Sequence, residues 1–280
     1  MTLREALKRA KQALDGCAIE DSKIVAEVLL RHILQIDRVN MLLRLDAELN
    51  TEEQKAFLKL IERRVRGEPT SYITGHKEFY GLDFHVDPRV LIPRPESELL
   101  IDEALEFAKE CESVTVSDIG TGSGAIAISI AVNASNSTVY AVDISSDALE
   151  VAKANCLKHR VSDRVVLLHG DMLNPLPGAV DVIIANLPYV SKKDVLSISS
   201  GFEPSLALDG GEDGLVNISK LCKQIQGKLK PGGWLLLEVG QGQAATVTEY
   251  LRRLFPGALI SIKSDLACIE RIVKMKLTKN

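Results

Sequence analysis

Asn186, Leu187, Pro188 and Tyr189 follow directly on the apolar run "VDVIIA", so a strand-like segment gives way at once to an amide, a proline and an aromatic ring. Asparagine and proline are common turn residues, and a strand exit with a tyrosine packed over it is one reading of the four. The other reading is chemical. The Asn186 side-chain oxygen and the Leu187 backbone carbonyl could grip both N–H groups of an amide or aryl amine, favour a pyramidal nitrogen and aim its lone pair. Tyr189 could stack on the planar group. Such a clamp suits an in-line transfer, which depends on alignment more than on acid–base help.

The stretch "DIGTGSGAIA" supplies a second ingredient. It sets Asp118, Gly120, Thr121, Gly122 and Gly124 between a strand and a helix, where glycines permit a tight turn and close approach of a ligand to the helix N-terminus. Gly120, Gly122 and Ala125 also satisfy the dinucleotide fingerprint, so this loop leaves a nicotinamide cofactor and S-adenosylmethionine both open. Asp143 ends "VYAVD" and could accept both ribose hydroxyls of an adenosine. Asp171 ends "LLHGD" and could accept from an adenine amino group while Met172 packs on the ring. Singly, each acid could be a strand-end cap. Jointly they place acids at the ends of three consecutive strands, with Asn186 on the fourth, along the carboxyl edge where open α/β sheets bind ligands.

The elements that must position these residues are legible in the periodicities. From Thr2 to about Arg66 apolar residues recur at three and four, as in "SKIVAEVLLRHIL" and "TEEQKAFLKLIERRV", with Ser22 and Thr51 as N-caps. Such amphipathic helices bury their stripes against one another in a small bundle. Arg63, Arg64 and Arg66 read as a solvated helix end. The texture then changes to glycine, proline and aromatics, and "EFYGLDFHV" supplies a hairpin. Pro93 and Pro95 precede a helix from near Glu96 to about Cys111. From Val114 onward strands and helices alternate, including a helix over "EDGLVNISKLCKQIQGKL", which requires a mostly parallel sheet covered on both faces. The last two strands lack a helix between them and should form an antiparallel hairpin at one edge. The expected organisation is a helical domain over 1–75, a hairpin linker over 76–95 and an α/β domain over 96–280.

Composition narrows the partners. The 280 residues are 46% hydrophobic with a net charge of -4, a balance that fits a folded globular protein and disfavours a nucleic-acid backbone as partner. The five cysteines stand apart without a C-x-x-C pair and read as reduced, mostly packed thiols. The five histidines show no metal-ligand spacing, so no metal is expected. The charged start "MTLREALKRAKQAL" is unlike a signal peptide, and no apolar run reaches spanning length, which points to a cytoplasmic protein without a membrane partner.

With these residues assembled, the chain resembles the release-factor glutamine methyltransferases of the HemK type over nearly its whole length. The resemblance is carried by "GEPTSYITGHKEFYGLDF", "LIPRPESELLID", "SDIGTGSGAIAISIA", "VYAVDISSDALEVAKAN", "EPSLALDGGEDGL" and "LKPGGWLLLEVG", of which "IPRPE" is the most discriminating. It implies a seven-stranded Rossmann-like methyltransferase sheet, a helical N-terminal domain that recognises the protein substrate, and a hairpin linker. It also implies S-adenosylmethionine against Gly120 to Gly124, with Asp118 and Thr121 in that loop, Asp143 on the ribose, and Asp171 and Met172 near the adenine. Asn186, Leu187, Pro188 and Tyr189 would hold the glutamine of a release factor's Gly-Gly-Gln loop, in a chain acting as a monomer. Two positions depart from the family pattern: Leu187 stands where a proline is usual, and Cys268 in "DLACIER" stands where glycine is usual. The leucine tetrad also resembles that of the rRNA adenine dimethyltransferases, whose domain order is the reverse of this one and whose substrate favours a basic surface. A cofactor-binding adaptor without turnover is a further alternative.

Overall fold

The computed structural model describes residues 1–198 and 201–278. The chain divides into two compact units, Met1–His76 and Lys77–Asn280. In the first, α1 (Leu3–Asp15), α2 (Ser22–Leu34), α3 (Arg38–Leu43), α4 (Thr51–Val65) and α5 (Thr70–Thr74) surround a core that includes fully buried Leu14, Leu29, Leu30, Met41 and Phe57. The helix caps lie one residue before the expected positions. Asn50 caps α4 in a reciprocal box with Glu53, and Asp21, in a left-handed backbone, precedes α2. Ser22 is instead the first residue of its helix and donates to the Asp15 carboxylate. At the other end of α4, Arg63 forks onto Glu68 rather than standing free in solvent.

From His76 the chain forms the expected hairpin, β1 (His76–Phe79) and β2 (Leu82–His85), then a 3-10 turn over Pro95–Ser97 leading into α6 (Glu98–Lys109). Beyond it run β3 (Val114–Ile119), α7 (Ala125–Asn133), β4 (Ser137–Asp143), α8 (Ser146–Lys158), β5 (Val165–His169), β6 (Val180–Ala185), α9 (Lys192–Ile198), α10 (Val216–Gln224), β7 (Leu229–Glu238), α11 (Ala244–Leu254), β8 (Leu259–Ser264) and β9 (Glu270–Lys276). The seven strands β3–β9 form one sheet in the order β5-β4-β3-β6-β7-β9-β8. The first five are parallel, and β9 and β8 close one edge antiparallel, as the missing helix between them foretold. Central strands such as β6 are buried on both faces, which is why they read as continuous apolar runs. No helix among the described residues is long and apolar enough to cross a membrane.

Two local readings need correction. The helix expected over "EDGLVNISKLCKQIQGKL" covers only Val216–Gln224, because Gly214 and Gly227 adopt positive φ (75° and 76°) on either side of it. The thiols are packed only at Cys156 and Cys222, whereas Cys17 and Cys268 are exposed.

Strand register decides where chemistry can happen. Ile119 pairs with Val142 and with Ala185, and Ala185 pairs with Leu237. The next residue on each strand is therefore Asp143, Gly120, Asn186 or Glu238, four neighbours in one row along the carboxyl edge.

Cys268 lies in the turn between β8 and β9 at φ 61°, where Asp265 accepts from the Ala267 and Ile269 amides and from Arg271 Nε. A left-handed backbone costs an L-residue about 1–2 kcal/mol, and the extra freedom of glycine in the unfolded chain offsets about 0.4–1 of that. Cys268→Gly should therefore raise the thermal midpoint slightly. A lower midpoint would mean that the thiol makes a contact worth more than the strain.

Candidate functional site

A cleft of about 490 Å³ opens at the carboxyl ends of β3, β4, β5 and β6, where strand order reverses and α/β sheets place their ligands. That volume is within the range of small-molecule and cofactor sites. Gly120, Gly122, Asp143, Asp171, Met172, Asn186, Leu187 and Pro188 all line it. Sequence reasoning had named all eight.

The glycine loop is held from below. Asp118 is buried, and its Oδ2 accepts from Thr121 Oγ1 at 2.6 Å and from the Ala127 amide at 3.3 Å. Burial pushes its carboxyl up to about 6. Thr121 spends its amide on the Val142 carbonyl and its hydroxyl on Asp118, while Gly124 packs against Ile128 and Ala152. Asp118, Thr121 and Gly124 thus shape the loop from behind and are not among the residues that line the cleft.

Asp143 faces both ways. Its oxygens accept from the Gly122 amide at 2.9 Å and the Ser145 amide at 2.9 Å, and burial raises its carboxyl above the ordinary value against those bonds. A carboxylate offers about four acceptor positions, so acceptor capacity remains for a ligand. Asp171 has a different first partner, Lys220 Nζ at 2.6 Å. Met172 sits beside it with φ 53°, a left-handed backbone that persists only where its surroundings hold it.

The tetrad after β6 is fixed by side chains from remote parts of the chain. Asn186 Nδ2 donates to Ser97 Oγ at 2.8 Å, and Ser97 Oγ donates to Glu238 Oε2 at 2.6 Å. Tyr189 Oη donates to the other oxygen of the same carboxylate at a longer 3.4 Å. Burial pushes Glu238 up to about 7, while the bonds from Ser97 and Tyr189 and the charge of Arg271 work the other way. Burial, then Glu238, pushes the Tyr189 phenol up to about 12. Asn217 Nδ2 reaches the Pro188 carbonyl at 3.4 Å, and Gln243 Nε2 the Tyr189 carbonyl at 3.0 Å.

Leu187 has a role its spacing did not suggest. Its side chain is buried, with Cδ2 3.3 Å from where a Cβ on Gly120 would lie, so it packs under the glycine loop. Ser97, Glu238, Gln243 and Lys220 escaped sequence reasoning. Glu238 carried a usable signal: like Asp143, it is an acid closing an apolar strand.

Residues 5–75 match a family model described as the PrmC N-terminal domain, and residues 95–201 match one described as the Methyltransferase small domain. A release factor glutamine methyltransferase of Moorella thermoacetica is 44% identical over 255 residues, covering 90% of each chain. Another, of Koribacter versatilis, is 40% identical over 278 residues, covering 98% of each. Among solved structures, a methyltransferase from Pyrococcus furiosus shares the fold with a TM-score of 0.53 at 19% identity, covering 71% of this chain and 90% of that one.

A Cβ on Gly214 would meet the Tyr189 carbonyl oxygen at 2.2 Å, whereas one on Gly242, also at positive φ, would meet nothing within 4 Å. Gly242→Ala should lower stability by the left-handed backbone cost of about 1–2 kcal/mol, less the roughly 0.4–1 kcal/mol gained by restricting the unfolded chain. Gly214→Ala should lower it further, in paired thermal melts. Equal losses would show that the tetrad backbone yields without cost.

Proposed function

The chain belongs to the release factor glutamine methyltransferase family, and we propose that it transfers the methyl group of S-adenosylmethionine to the side-chain amide nitrogen of the glutamine in the Gly-Gly-Gln loop of class 1 release factors. The observation that carries this reading is the held Asn186 amide. With Nδ2 committed to Ser97, the Oδ1 acceptor is the end left to meet an N–H in the cleft that Asn186 lines.

The residues present fit the cofactor. Gly120 and Gly122 leave the cleft wall without side chains, and Asp143 retains acceptor capacity for a ribose diol. Met172 supplies an apolar face for the adenine, and Asp171 an acceptor shared with Lys220. When bound, S-adenosylmethionine supplies an electrophilic methyl on a sulfonium sulfur. The chain's own contribution is alignment. Asn186 Oδ1 and the Leu187 carbonyl accept the two N–H groups of the glutamine, which weakens the delocalisation of its lone pair and points it at the methyl. Pro188 stiffens the turn, and Tyr189, braced by Glu238 and outside the lining of the cleft itself, offers the ring on which the planar amide stacks.

The two ligands can be separated by mutation. Asp143→Ala should weaken cofactor binding by about 1.5–3 kcal/mol, roughly ten- to hundredfold in Kd by calorimetry. Asn186→Ala should leave that Kd within about twofold and lower kcat by on the order of a hundredfold, since an orienting contact is felt in turnover. Unchanged cofactor affinity in Asp143→Ala would remove the ribose assignment. Lost cofactor binding with normal saturated turnover in Asn186→Ala would make Asn186 a cofactor ligand.

The first unit is assigned to the body of the release factor, being helical and separate from the cleft residues. An intact release factor should then show a higher kcat/KM than a short Gly-Gly-Gln peptide. Equal values for the two substrates would give the unit another task.

A further inference from the structure

We propose that Glu238 and Ser97 are positioning residues that set which end of the Asn186 amide faces the substrate: ionised Glu238 accepts the hydrogen bond of the Ser97 hydroxyl, Ser97 Oγ accepts from Asn186 Nδ2, and Oδ1 is presented to the methyl-accepting nitrogen. The inference rests on the reading of Asn186 as the glutamine clamp.

The two ends of an asparagine amide have nearly the same shape, so its orientation follows from the hydrogen bonds around it. Here the direction is set three groups deep. An ionised carboxylate only accepts, so at 2.6 Å the single proton of Ser97 must point at Glu238 Oε2. What remains on Ser97 Oγ toward Asn186 is a lone pair, which at 2.8 Å selects Nδ2. Were Glu238 protonated, it could donate to Ser97 and release the hydroxyl proton toward Asn186. That pattern favours the reversed amide, whose N–H2 would face the N–H2 of a glutamine. Neither Ser97 nor Glu238 lines the cleft, so both act through Asn186.

The surroundings of Glu238 let it change charge near neutrality. It is 2% exposed and faces Ser97 and Glu96 from the turn before α6, Tyr189 from the tetrad, and Arg271 from β9. Arg271 is itself anchored on Asp265 at 2.8 Å and lies 4.0 Å from Glu96. Burial and Glu96 favour the neutral acid; Ser97, Tyr189 and Arg271 favour the carboxylate, and the balance falls at about 7. A carboxyl that ionises there gives the correct orientation above that pH and loses it below.

The test combines kinetics on a release factor, cofactor Kd by calorimetry, and the side-chain ¹⁵N resonance of Asn186 in the protein without release factor. In the natural chain kcat should fall as pH drops through about 7, and the Asn186 resonance should titrate with the same midpoint. Glu238→Gln, close in shape and without a charge to gain, should flatten both profiles. Ser97→Ala should lower kcat about tenfold or more while KM and cofactor Kd stay within about twofold, and Ser97→Thr, which keeps the hydroxyl, should recover most of the loss. An acid limb that persists in Glu238→Gln, an unchanged kcat in Ser97→Ala, or an Asn186 resonance indifferent to pH would each overturn the proposal. No methylation of a release factor by the natural chain would sink the substrate reading alone, because the resonance still decides the orientation.

Discussion

The parallel pairing of β3 with β6 is the constraint from which the site follows. Strands next to each other in a sheet stand about 4.8 Å apart. With Ile119 opposite both Val142 and Ala185, and Ala185 opposite Leu237, Asp143, Gly120, Asn186 and Glu238 occupy one row spanning four strands. A slip of one residue on any of these strands would exchange the faces against which its side chains pack and move its last residue out of the row. The hydrophobic pattern that buries Val116, Ile119, Ile183 and Leu235 therefore also aligns two acids, a glycine turn and an amide. Core packing and site geometry are one specification.

The tetrad itself is short and would be mobile if left to its own backbone bonds. It is held instead on several sides: Ser97 and Glu238 at Asn186, Asn217 at the Pro188 carbonyl, Gln243 and the bare Gly214 at the Tyr189 carbonyl, and Gly120 above Leu187. Supporting groups of this kind keep a reacting constellation near its productive geometry. Leucine at 187 gives up the locked φ of a proline, but its buried side chain ties the tetrad to the glycine loop.

Much of this was legible in the sequence, for physical reasons that also explain what was missed. Alternating apolar runs and glycine punctuation report local backbone preference and burial, and those located the sheet, the loop and the row's Asp143, Gly120 and Asn186. Spacing does not say which way a side chain turns. Thr121 and Asp118 lie in the loop as expected yet bond to each other beneath it, and Asp171 meets Lys220 from α10 before any ligand. Ser97 was harder still, because it is 89 residues from Asn186 in sequence and its turn follows Pro93 and begins at Pro95, which carry no pattern of burial. The helix caps at Asn50 and Asp21 were displaced by a single residue, since serine and threonine also serve as first-turn residues.

The burial of Glu238 has a consequence for the persistence of the fold as well as for its chemistry. A carboxyl raised to about 7 by burial binds its proton more tightly folded than unfolded, so its contribution to stability is fully present below the ordinary carboxylate range and is lost as pH rises through about 7. The protein is thus least favoured by this group in the pH range where the carboxylate orients Asn186. Selection for durability and selection for turnover pull on the same side chain in opposite directions, the kind of conflict that keeps natural proteins short of their most stable sequence. A lineage kept only for its fold would be free to discard the acid; one kept for methyl transfer would not.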